Sequence, residues 1–84
     1  MLKKINAGGV ESDDGFSIQF THPELLEYKQ GNKIFEISVG DDLKRQIVYI
    51  YASQVNNLNE VEKNKMINNI KEAVKLLNGN FEVI

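Results

Sequence analysis

Glu11, Asp13, Asp14, Glu24 and Glu27 fall in a stretch that holds no lysine or arginine between residues 5 and 28. Two such carboxylates held about 5–10 Å apart could share acid and base duties in hydrolysis. A tighter group could hold a hard cation. The segment Glu11-Ser12-Asp13-Asp14-Gly15 lacks the regular ligand spacing of a calcium loop, however, and reads more simply as a solvated turn. A third use needs no catalysis. An acidic edge, extended by Asp41 and Asp42, would draw in a basic protein such as a nuclease and speed its association.

His22 is the single histidine, and there is no cysteine. Acting as a general base it would need an orienting group and a nucleophile, for which Glu24 and Ser17 are the nearest nominees. Sitting before Pro23, it reads as a surface turn residue instead. The pair Gly8-Gly9 has no helix start after it, so it marks a turn rather than a phosphate loop. This inventory predicts no catalytic residues, no metal and no cofactor.

The residue types best suited to binding lie in Arg45 to Gln54, RQIVYIYASQ. As a strand this puts Ile47, Tyr49 and Tyr51 on one face and Val48, Ile50 and Ala52 on the other. Both faces are apolar, and the chain holds one good helix to cover them. The helix is expected over Val48 and Ile50. Ile47, Tyr49 and Tyr51 then meet solvent, the N-terminal segment or another chain. Tyrosine suits a binding surface, having an apolar body and a wet tip.

The chain has 84 residues and net charge −2. At this length it forms one domain, burying about 60–65% of the surface exposed when unfolded. The acidic balance argues against a sequence-independent nucleic-acid binder, which needs a basic surface. No apolar run approaches the ~20 residues of a membrane span, and Met1 to Gly9 lacks the apolar core of a signal peptide. With cysteine absent as well, a cytoplasmic chain is predicted, with no membrane or nucleic-acid partner.

The elements that would carry these residues are legible in the periodicities. A short strand fits Leu2 to Asn6, broken by the glycine pair. Phe16, Ile18 and Phe20 alternate with Ser17, Gln19 and Thr21, a half-buried strand. Asp14-Gly15 before it signals a type I′ hairpin pairing Val10 to Asp13 back on this strand.

Residues 21–33 admit two readings. Thr21 with Glu24 resembles a capping box, opening a two-turn helix. Alternatively Leu25 to Lys29 is a strand joined through Gly31-Asn32, a glycine-first pair suited to a type II′ turn. Register favours the hairpin. It sets Tyr28 opposite Phe35 and Leu26 opposite Ile37, each pair worth about 0.2–1 kcal/mol, against a like-charge cost at Glu27 and Glu36.

Gly40 to Lys44 then forms a loop, and the tyrosine strand follows, apolar enough to lie inside the sheet. Asn59 and Glu62 mark a helix start. Met66, Ile67, Ile70, Ala73, Val74 and Leu77 make its apolar stripe, and Asn78-Gly79 ends it. Asn80 to Ile84 closes the chain as a short strand. The predicted fold is α+β: an antiparallel meander, one C-terminal helix packed on one sheet face, and a short final strand.

Residues 24–84 resemble a family of small bacterial immunity proteins from polymorphic toxin systems. The pattern is a Leu-Glu-Tyr hairpin, a Val-Tyr-rich strand, and a helix of the form Glu-Glu-x-x-Arg-Ile-x-x-Asn-Ile before a closing strand. Here LLEYKQGNKIFEISV, IVYIYAS and EVEKNKMINNIKEAVKLLNGNFEVI carry the likeness, with Glu62, Lys63, Met66, Ile67, Asn69 and Ile70 in the helix. The chain departs from the pattern at QVNNLN, where such proteins often hold a tryptophan with prolines. The resemblance implies a non-enzymatic inhibitor that captures a cognate toxin domain. Two other functions stand beside it: a self-associating structural domain, monomer against homodimer being open, and a small carboxylate hydrolase.

Overall fold

A computed structural model describes residues 1–84. Seven strands form one sheet in chain order: β1 (Leu2–Asn6), β2 (Gly9–Ser12), β3 (Phe16–His22), β4 (Leu25–Gln30), β5 (Lys33–Asp42), β6 (Ile47–Ile50) and β7 (Phe81–Val83). A 3-10 turn at Ala52–Gln54 and the helix α1 (Glu60–Val74) separate β6 from β7. Every pairing from β1 to β6 is antiparallel. The last, β6 with β7, is parallel. A parallel neighbour needs a long crossover, and α1 supplies it.

The hairpin register follows the aromatic and aliphatic pairs. Tyr28 lies opposite Phe35, Leu26 opposite Ile37, and Glu27 opposite Glu36. Gly31 alone takes a positive φ in the two-residue loop, as a type II′ turn requires. The β2–β3 loop departs from the expected type I′ turn. Its positive φ is at Gly15 only, and Ser12 O accepts from Gly15 N, a three-residue loop closed by a left-handed glycine. Between β3 and β4, Thr21 bulges out of register and Pro23-Glu24 make the turn. The capping-box helix there does not form.

Four boundaries shift. α1 stops at Val74 rather than at the expected Asn78-Gly79, because Leu76 N and Leu77 N bond back three residues, to Ala73 O and Val74 O, and tighten the chain into turns. β5 runs through Asp41 and Asp42, which were expected in a loop. β6 is confined to Ile47–Ile50, because Arg45 and Gln46 belong to the preceding turn and Gln46 has φ 56°. Past Ile50 the 3-10 turn takes over and carries Ala52, fully buried, beneath the helix.

Alternation sorts the sheet into two faces. Val10, Phe16, Ile18, Leu26, Tyr28, Ile37, Val39 and Ile50 point inward and are buried with Met66, Ile70, Ala73, Val74 and Leu77. Val48 packs against this core, as expected. The sheet curls around the helix, so that Phe20 of β3 and Phe81 of β7 meet with ring centroids 5.7 Å apart although their strands are not neighbours. Asn59 caps α1, its Oδ1 accepting from Glu62 N at 2.8 Å while its amide donates to Glu62 Oε1 at 2.7 Å.

Candidate functional site

The site assembles on the convex face of β6. Ile47 and Tyr49 point away from the helix because Val48 and Ile50 point toward it. Their strand neighbours leave room above them. Tyr49 lies beside Gly40 on β5 and Glu82 on β7, and Ile47 lies beside Asp42. Tyr51, just past the strand, is anchored by its own N–H, which donates to Ser38 O at 3.0 Å. Its ring then lies over Gly40. A Cβ at that position would stand 3.2 Å from Tyr51 Cε2 and Oη, so glycine is what lets the ring lie down on the strand.

Ile47, Tyr49 and Tyr51 are each half-buried. The first fifteen residues do not seal this face. They form β1, β2 and their turns, three strands away from β6 in the sheet order, and where the curl brings Ala7 and Gly8 to a common cleft with β6 they meet it on the side of Val48 and Phe81. The helix occupies the opposite face.

Charge on this convex face is dominated by acids. Alternation and register place Glu11, Glu27, Glu36, Asp42 and Glu82 there, against Lys3 and Lys29. Lys29 Nζ stands 3.5 Å from Glu27 Oε1, an exposed pair of small energetic weight.

The sequence-predicted carboxylates are not brought together as one edge. Asp13 and Asp14 sit in the β2–β3 turn, and Glu24 sits in the β3–β4 turn at the other end of β3. Antiparallel pairing puts Asp41 and Asp42 at the Glu24 end, where Glu24 O accepts from Val39 N at 3.0 Å. Glu27 lies between, on the convex face. Asp42 has local work: its Oδ1 accepts from the N–H groups of Lys44 and Arg45, at 3.1 and 3.2 Å, and holds the β5–β6 turn. The Asp13 carboxylate meets only the N-terminal ammonium, at 3.7 Å on an exposed surface, while its N–H donates to Met1 O at 3.2 Å. No group of three or more His, Cys, Asp or Glu is placed to hold a metal.

His22 is exposed at the end of β3 and lines a shallow cleft of about 480 Å³ with Asp41, Phe20, Val48 and Phe81. Neither Glu24 nor Ser17 hydrogen-bonds to it, and Ser17 lies along the strand opposite Lys29. These groups form no nucleophile–base pair.

Sequence reasoning missed two contributors to the tyrosine face. Glu82 reaches it because β7 adds in parallel beside β6, and Gly40 because it accepts the Tyr51 ring. A glycine between Val39 and Asp41, inside a strand, was the available signal for a close approach.

No family model matches the chain, and no match was found among curated proteins or solved structures.

Proposed function

We propose that this chain is a small non-enzymatic binding protein of the immunity type, which captures a toxin domain through the convex face of β6. The observation that carries the reading is the Tyr51 ring lying over Gly40, the cross-strand neighbour of Tyr49, on the sheet face turned away from the helix. Rigid tyrosines set among carboxylates make a surface with apolar contact area at its centre and charge around it, the usual anatomy of a binding patch. Asp42 lies 3.8 Å from Arg45 and Glu27 3.5 Å from Lys29, whereas Glu36 and Glu82 form no ion pair and favour a basic partner, for which they would raise the association rate more than the affinity. The resemblance of residues 24–84 to immunity proteins supplies the class of partner.

The test is co-expression with the product of the gene neighbouring this chain's own, which the reading expects to be a toxin. One-to-one co-purification and rescue of cell growth are the expected results. A neighbouring product that is harmless and does not co-purify would end the reading. Sedimentation of the free chain as a dimer, with the tyrosine face protected, would move the assignment to self-association.

A further inference from the structure

The two edges of the sheet are built differently. β1 exposes Lys3 and Lys4, and a register shift lies between Lys4 and Asn6. Lysines and irregular pairing are the ordinary means of discouraging another strand from adding to an edge. β7 has neither, its residues being Phe81, Glu82 and Val83.

The hydrogen bonds show which of its backbone groups are free. Asn80 O accepts from Val48 N, Ile84 N donates to Ile50 O, and Ile84 O accepts from Ser53 N, each at 2.8 Å. Residues 80, 82 and 84 therefore turn toward β6, and by alternation Phe81 and Val83 turn their N–H and C=O outward. Beside this free edge runs a groove of about 630 Å³, walled on its other side by Asn68, Lys71, Glu72 and Lys75 of the helix region.

We propose that this groove receives an extended segment of a protein partner, added as a further strand on the β7 edge, with side chains in apolar–basic–apolar alternation. The main-chain groups of Phe81 and Val83 supply the pairing. Inward-facing apolar side chains of the added strand pack beside Phe81 and Val83, both half-buried. The intervening side chain falls on the convex face next to Glu82, which is exposed and forms no ion pair, so a lysine or arginine complements it. The added strand would continue the Tyr49 surface, so the inference extends the binding reading above by naming the form and charge of a second contact.

The probe is a capped heptapeptide, acetyl-Ser-Val-Lys-Val-Lys-Val-Ser-amide, with a control carrying glutamate for lysine. Amide hydrogen exchange is followed on the full chain. The lysine peptide should slow exchange at Phe81 and Val83 by about tenfold or more. The glutamate peptide, and a lysine peptide N-methylated along its pairing edge, should not. Glu82→Lys should invert the preference between the two peptides. Unchanged exchange at both amides, or equal protection by both peptides, overturns the proposal. So does prior protection of these amides in a dimeric free chain, which would assign the edge to a second copy. None of these readouts involves the toxin, so failure here leaves capture through Tyr49 to be judged by its own experiment.

Discussion

Asn69 donates its side-chain amide to the Tyr28 hydroxyl across 2.9 Å, and that hydroxyl donates to Gln30 Oε1 at 2.8 Å. The bond joins helix to sheet at the edge of an apolar core, with the Tyr28 ring buried and Asn69 half-exposed. It also brings together two stretches that carried the family resemblance, the Leu-Glu-Tyr hairpin and the Asn-Ile turn of the helix. Their likeness thus marks fold-forming positions. Tyr28 stacks on Phe16 with centroids 5.9 Å apart, so the ring is held on one side by packing and at its tip by the amide.

Removing either partner of this bond should lower stability by about 0.5–1.5 kcal/mol. Urea unfolding of Tyr28→Phe, Asn69→Ala and the double variant would measure it. A double variant less destabilised than the sum of the singles is expected, because the groups are coupled. Strict additivity would show that the bond contributes nothing in solution.

Burial raises the Tyr28 hydroxyl above its ordinary pKa of 10.0, and the bond from Asn69 lowers it in part. The folded chain then keeps this proton where the unfolded chain has lost it. The contribution is fully present below about pH 10 and is lost as pH rises through the folded value. Stability should fall on the alkaline side, and Tyr28→Phe should flatten that limb. Equal alkaline slopes in both proteins would contradict this.

Asn59 satisfies the Glu62 amide and orients the Glu62 carboxylate together. Asn59→Ala should cost about 1 kcal/mol, with Asn59→Asp closer to neutral. Thermal unfolding followed by circular dichroism distinguishes these outcomes.

Tyr49→Ala should weaken toxin capture by about 2 kcal/mol or more, roughly thirtyfold in Kd, if the face is a binding centre. Titration calorimetry reads the affinity and urea unfolding reads the fold. Unchanged affinity with lowered stability would return the residue to a purely structural role.

Gly40→Ala places a methyl 3.2 Å from Tyr51 Cε2 and Oη, so the ring must shift by a few tenths of an ångström. Capture should weaken while the inward-facing core, which this substitution does not touch, stays packed. A crystal structure of the variant with Tyr51 undisplaced would count against this account of the face.

Much of the fold was written locally. Alternation in Phe16 to Thr21, the Gly31-Asn32 turn, the Tyr28–Phe35 and Leu26–Ile37 register, the Asn59 cap and the helical stripe from Met66 to Val74 each depend on residues close in sequence. Such signals survive in the chain because strand and helix periods are set by backbone geometry alone.

The site was legible only in part. The alternation within Ile47 to Ile50 identified the outward tyrosine face, but it could not show that Tyr51 leaves the strand to lie on Gly40. Nor could it show that the carboxylates divide between opposite ends of β3, since contiguity in sequence becomes separation once a strand of seven residues lies between two turns.

From the sequence alone came the elements, their inward and outward faces, and the excess of apolar surface over what one helix can cover. Tertiary structure decided the parallel seat of β7, the curl that brings Phe20 to Phe81, and the free edge beside α1. Those depend on contacts between residues far apart in the chain, which form where packing of the whole core is best and leave no local periodicity to read.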